Sequence, residues 1–208
     1  MAALIPADCL TRVSALLSAG GRRLLGLVGA PGSGKSTLAH AIAAAFPGRT
    51  IVVPMDGFHL ANSELARLER AGRKGAPDTF DAAGYAALLQ RLKRQGANDA
   101  VVYAPEFRRE IEEAIAGAIA VAPDVPLVIT EGNYLLLEQD AWGQVRTQLD
   151  EAWFVEVDDT QRRERLVQRH IAFGRSPQQA HDWVMRTDEP NARLVQASAH
   201  RADRRVRW

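Results

Sequence analysis

Leu24-Leu25-Gly26-Leu27-Val28-Gly29-Ala30-Pro31-Gly32-Ser33-Gly34-Lys35-Ser36-Thr37 is the stretch that decides the fold. Five apolar residues lead into G-A-P-G-S-G-K-S-T, and a helical pattern over residues 36–46 follows. Strand, glycine-rich turn and helix in that order are what a G-x-x-x-x-G-K-[ST] phosphate loop requires. Glycines at 29, 32 and 34 let backbone N–H groups curl round an anion. The helix adds the positive end of its dipole at the same place. The loop Gly29, Ala30, Pro31, Gly32, Ser33, Gly34, Lys35, Ser36 and Thr37 is therefore expected to hold the phosphates of a nucleoside triphosphate such as ATP. Lys35 would reach the β- and γ-phosphates, and the Ser36 hydroxyl would ligate Mg²⁺.

Outward from this loop, short apolar runs alternate with helical patterns, which predicts an α/β fold with a mostly parallel sheet covered on both faces. Candidate strands lie at 24–28, 50–55, 100–103, 127–130, 152–157 and 204–207. Candidate helices lie at 7–19, 36–46, 60–71, 81–95, 142–149, 160–173 and 177–198, the last broken near Glu189-Pro190. Asp81 reads as a helix N-cap. Residues 111–121 are ambiguous: Ile111, Ile115 and Ile119 suggest a helix, whereas Ile115, Ala118 and Val121 settle no period. At 208 residues the chain suits a single domain, 1–208, with a mobile helical lid at about 169–190.

A formal net charge of +1 implies no polyelectrolyte partner. The basic end, His200 to Trp208, reads as a charged edge strand rather than a nucleic-acid contact. No apolar run approaches the roughly 20 residues of a membrane span, and Leu4-Ile5 follows no basic leader. The lone Cys9 cannot close an internal disulfide, which fits a reducing cytoplasm. Trp142, Trp153, Trp183 and Trp208 could serve a homodimer surface as readily as a core.

Ligands of open parallel sheets sit beyond the carboxyl ends of the strands. Asp56, Tyr103 and Glu131 each close a candidate strand. Phosphoryl transfer to an alcohol needs a carboxylate that orients the hydroxyl and takes its proton, and Asp56, followed by Gly57, is the candidate. It is expected on the strand neighbouring the phosphate loop. Glu131 could hold a Mg²⁺-bound water or a substrate hydroxyl, or cap a turn. Arg162, Arg165 and Arg169 share a helix face, and Arg175 follows Gly174. Arg169 and Arg175 are candidates for a lid that compensates transition-state charge, with Arg175 toward the nucleotide. Arg73 and Lys74 on one side and Arg108 and Arg109 on the other would suit an acceptor already carrying a phosphate or carboxylate, and are equally readable as solvated loop charges. His59 packs near the pocket or touches the acceptor.

Together, G-A-P-G-S-G-K-S-T (29–37), M-D-G-F-H-L (55–60), R-K-G-A-P-D-T-F-D (73–81), V-Y-A-P-E-F-R-R-E (102–110) and E-G-N-Y-L-L-L (131–137) resemble the phosphoribulokinase/uridine kinase family of P-loop kinases. That family includes the bacterial type of pantothenate kinase. The resemblance implies Asp56 as catalytic base, Glu131 near metal and acceptor, and lid arginines at Arg169 and Arg175. It also implies ATP and Mg²⁺ as cofactors and a small-molecule acceptor. Tyr103-Ala104-Pro105 departs from the Y-S-H of pantothenate kinases, and Glu106-Phe107-Arg108-Arg109 from the H-S-R of uridine kinases, whereas Asn191 matches the pantothenate-kinase asparagine. The chain looks most like bacterial proteins named nucleoside/nucleotide kinase-like or fructose transport system kinases, which leans the acceptor toward a sugar. A nucleoside or pantothenate-type acceptor is the alternative. A nucleotide-dependent switch is the reading from another class. It is disfavoured because no N-K-x-D motif is present and the D-x-x-G at 140–143 follows no strand.

Overall fold

A computed structural model describes residues 5–208; Leu4, part of the leader expectation, lies outside them. The chain runs α1 (Ala7–Ser18), β1 (Arg23–Val28), α2 (Lys35–Ala45), β2 (Thr50–Pro54), α3 (Asn62–Arg67), α4 (Ala82–Arg94), β3 (Val102–Arg108), β4 (Glu113–Val121) and β5 (Leu127–Gly132). It continues α5 (Trp142–Gln148), β6 (Glu151–Glu156), α6 (Asp159–Ala172), α7 (Pro177–Trp183), α8 (Glu189–Ala197) and β7 (Arg204–Arg207). Five strands form a parallel sheet in the order β2-β5-β1-β6-β7.

Strand periodicity explains the two layers. Successive side chains alternate faces, so Leu25 and Leu27 pack with Cys9, Val13, Leu38 and Ile42 of α1 and α2. Leu24 and Val28 point the other way, into a cluster with Leu89 of α4, Val145 of α5 and Val195 of α8. β5 and β6 split likewise, with Ile129 and Trp153 on the first side and Val128 and Phe154 on the second. Both faces are therefore covered, as a parallel sheet requires. Trp142 and Trp153 are buried in these layers and cannot serve an outer surface.

The registers assemble the site. Val28 lies opposite Gly132 and Pro54 opposite Glu131, so the ends of β1, β5 and β2 are level. The phosphate loop, Glu131 and the turn carrying Asp56 consequently emerge along one sheet edge. One expectation is corrected here: β5 intervenes between β1 and β2, so Asp56 lies one strand further from the loop than expected and Glu131 is on the true neighbour.

The second correction concerns residues 100–121. The strand expected at 100–103 does not join the parallel sheet; it continues to Arg108 and pairs antiparallel with β4 in a separate hairpin. Val102, Ala104 and Val121 anchor the hairpin in the core, and its far end reaches over the site. Helix α3 is shorter than the 60–71 expected, because the chain turns at Glu69 (φ 56°) into 3-10 turns. Asp81 caps α4 as anticipated, accepting from Gly84 N at 2.8 Å. Pro190 follows a π-helical turn at Val184–Asp188 through which helical backbone runs on from α7 into α8, a turn type that accommodates a proline inside a helical run. The basic end is the edge strand β7, its arginines paired with Asp8 and Glu156.

Candidate active site

The phosphate loop begins where β1 ends. Gly34, the N-cap of α2, has φ 86°, in the left-handed region that favours glycine. Ser33 N donates to Ala30 O at 3.1 Å and closes the turn. Ser33 Oγ is buried and has no hydrogen-bond partner among the described residues. A buried hydroxyl left unpaired is costly, and a phosphate oxygen would satisfy it. Thr37 continues the helix.

Beside the loop, Ser36 Oγ donates to Glu131 Oε1 at 2.9 Å. Glu131 is 5% exposed. Burial raises its carboxyl above the ordinary range, opposed by the Lys35 ammonium. Burial in turn lowers Lys35, opposed by Glu131 and Asp56. Hydroxyl and carboxylate so placed are a chemically sound pair for a hard divalent cation, which takes few protein ligands alongside phosphates.

Asp56 is delivered by a 3-10 turn, Met55–Phe58, that follows β2 directly. The turn is pressed against the hairpin: a β-carbon on Gly57 would lie 2.4 Å from Pro105 O, so only glycine fits. Burial pushes the Asp56 carboxyl up, but His59, Arg109, Lys35 and Arg169 outweigh it, and the group sits below the usual carboxylate range. Arg109 Nη2 approaches Asp56 Oδ2 at 3.4 Å. His59 Nδ1 lies 2.7 Å from Asp56 O. A carbonyl only accepts, so Nδ1 carries the proton, and burial lowers the ring below the ordinary histidine range. Its faces pack on Phe80 and Phe107, at centroid distances of 4.0 and 4.6 Å.

The expected lid arginines lie on α6 and in the segment that follows it. Arg169 lies in the last turn of α6 and faces the site; burial lowers its pKa. The Arg175 guanidinium stacks on Trp183 at 3.8 Å. Asp188 accepts from His170, the two side chains 2.9 Å apart, which ties the π-helical turn to α6. Arg162 is structural: 2% exposed, it pairs with buried Glu189 and donates to Pro31 O at 3.4 Å, linking α8 to the phosphate loop. Removing one partner of a buried pair strands the other charge. Glu189→Ala is therefore expected to lower stability by about 3 kcal/mol, or Tm on the order of 10 °C, in a thermal melt.

A cavity of about 380 Å³ collects these groups: Lys35, Ser36, Asp56, His59, Arg169, Arg175 and Asn191 all line it. Asn191 Nδ2 also reaches Gly75 O at 3.4 Å. Four residues expected to meet the acceptor do not line it, and one of them, Glu131, lies buried behind Ser36, which itself lines the cavity. Arg73 turns away to pair with Asp78 at 2.5 Å, Arg108 pairs with Glu106 at 2.8 Å, and Tyr103 is 60% exposed on β3. Their sequence neighbours take the positions instead: Lys74, Phe107 and Arg109 line the cavity. Asn133 was not foreseen either. It lines the cavity, and its Oδ1 is buried without a partner among the described residues. The signal for it was present, since it follows Glu131 at the end of a strand. A second, larger cavity of about 910 Å³ opens beside Ala30 and Ser33, walled by Val157, Arg162 and Trp208. Among the described residues no helix is long and apolar enough to cross a membrane.

No family model matches the chain. The chain is 37% identical over 145 residues to the "ATP-dependent kinase-like protein notR'" of Aspergillus versicolor, covering 66% of this chain and 84% of that one. It is 36% identical over 162 residues to the "putative uridine kinase C227.14" of Schizosaccharomyces pombe, covering 74% and 68%. Among solved structures, a "putative fructose transport system kinase" from Silicibacter sp. TM1040 superposes with a TM-score of 0.87 at 39% identity, covering 96% of this chain and 98% of that one. With the phosphate loop, the two carboxylates and the arginines of α6 and its following segment in one place, the chain belongs to the uridine kinase-like family of P-loop kinases.

Proposed function

We propose that the protein transfers the γ-phosphoryl group of ATP to a hydroxyl of a small, polyhydroxylated metabolite of the sugar type. One observation carries the kinase reading: Lys35, Ser36 and Asp56 line a single cavity at the carboxyl edge of the sheet. The sugar lean is supported by the likeness to the fructose transport system kinase.

In this mechanism the phosphate loop and Lys35 fix the phosphates, and the cavity beside Ala30 and Ser33 gives room for the nucleoside. Asp56 orients the acceptor hydroxyl in line and takes its proton. The acceptor oxygen forms a bond to the γ-phosphorus, the bridging P–O bond breaks, and ADP leaves with the electron pair. Ser36 and Glu131 would hold Mg²⁺, which when bound neutralises charge on the phosphates. Arg169 and Arg175 offer positive charge as the lid closes and water is excluded.

A coupled ADP-release screen over sugars, sugar phosphates and acids, nucleosides and pantothenate tests the reading. A sugar-type compound is expected to raise ADP release well above the no-acceptor rate. A nucleoside or pantothenate succeeding where every sugar-type compound fails would overturn the sugar assignment and leave the kinase standing.

A further inference from the structure

Charge inside the cavity is unevenly spent. Five cationic side chains line it: Lys35, Lys74, Arg109, Arg169 and Arg175. In the kinase reading, on which this inference rests, Lys35, Arg169 and Arg175 serve the phosphoryl group. Asp188, one of the lining carboxylates, is already engaged by His170 at 2.9 Å. Lys74 and Arg109 are left on the far side, where the loop before α4 meets the end of the hairpin.

Among the described residues each has only a long contact to a carboxylate. The Lys74 side chain is 13% exposed, and its ammonium donates to two uncharged oxygens, Asn62 Oδ1 at 2.6 Å and the Glu112 backbone carbonyl. The nearest carboxylate, Glu112, is 3.9 Å away and more than half exposed. The ammonium lies 5.1 Å from the centre of the Phe107 ring. Arg109 makes one long contact, 3.4 Å, to the carboxylate that the mechanism needs free. Its guanidinium has further N–H donors that could hold an anion bidentately. Lys74, largely buried with only a long contact to an exposed carboxylate, gains from an anion brought against it.

His59, Phe80 and Phe107 form an aromatic wall of the same cavity, with the Lys74 ammonium over the Phe107 ring and Arg109 against Asp56. A small carbon skeleton can lie on that wall with an alcohol at one end and a negative charge at the other.

We propose that the phosphoryl acceptor is an anionic alcohol, its hydroxyl on Asp56 and its carboxylate or phosphate held between Lys74 and Arg109. Capture of the anion draws Arg109 off Asp56, so the base is released when the correct acceptor is seated. A neutral sugar or nucleoside leaves Arg109 on Asp56 and Lys74 with only the distant, exposed Glu112 carboxylate.

Matched sets test this: glycerol, glycerate and glycerol 3-phosphate; fructose, gluconate and fructose 6-phosphate. ADP formation is followed with the full chain and with Lys74→Met and Arg109→Met. In at least one set the anionic member is expected to exceed the neutral one by about 100-fold in kcat/KM, and the carboxylate and phosphate arms separate the two chemistries. Each variant should raise KM for that anion by about 10-fold or more, the scale of one charge-assisted hydrogen bond. Affinity for ATP, read by calorimetry, should change much less. Neutral members turned over as well as their anions would overturn the proposal while the kinase reading stands. If no member is turned over, calorimetric titration of the ADP-loaded protein with the same compounds decides. Saturable binding of an anion that both variants weaken supports the proposal, and no anion binding overturns it. Failure of the wild-type chain to bind ATP would overturn the kinase reading and the proposal together.

Discussion

Asp56→Asn is expected to lower kcat by at least about 10²-fold, the scale of general-base loss, with ATP affinity within a few-fold of wild type. The amide keeps the size of the carboxylate and can still accept from Arg109, but it cannot take a proton. The split between kcat and ATP affinity identifies the role, because a merely structural residue would move both. A pH profile adds an independent check. The cations around Asp56 outweigh its burial and hold its carboxyl below the usual range. The base therefore stays ionised as pH falls, and kcat/KM should not decline on its account between pH 8 and 5. A mutant with full turnover, or a wild-type acid limb near pH 6 to 7 that Asp56→Asn removes, would reassign the base or its electrostatics.

Much of this site is legible in the chain because its parts are local. The phosphate loop is contiguous, and Asp56 and Glu131 each end a strand whose apolar run is visible. The parallel order of the strands then brings those ends level without further instruction. What could not be read is which strands are neighbours. Nothing local to β2 states that β5 will lie between it and β1.

The hairpin was hidden for two physical reasons. Pro105 interrupts β3, which argues against a strand, but the register shift between Ala104 and Glu106 accommodates it. In and just before β4 the isoleucines at 111, 115 and 119 repeat every four residues and imitate a helix. Without the hairpin's register the facing of its residues was undetermined, since one step along a strand reverses a side chain. Arg108 and Arg109 are adjacent, and only the second turns inward. Arg73 and Lys74 divide in the same way, because Asp78 draws the first outward. The outward arginines are held by near neighbours in sequence, whereas the inward Lys74 and Arg109 meet Asn62, Glu112 and Asp56, which are distant in it.

Lys35→Met removes the cation on which both carboxylates depend. The methionine keeps the length of the stem, so the loss is chiefly one of charge. Turnover is expected to fall by about 10²- to 10³-fold, comparable to losing a preorganised oxyanion donor. ATP affinity should weaken by about 10-fold or more, as for a lost charged hydrogen bond. A third consequence follows from Glu131, whose carboxyl is already raised by burial and is lowered by Lys35. Without the ammonium, protonation of Glu131 becomes easier and its hold on a divalent cation weaker. Half-maximal activity of the residual enzyme should then require more Mg²⁺, and raising the pH should reduce that requirement. Glutamine at Glu131 in the Lys35→Met background should abolish this pH response. Turnover and ATP affinity both unchanged in Lys35→Met would show that the phosphoryl group is not held at this loop.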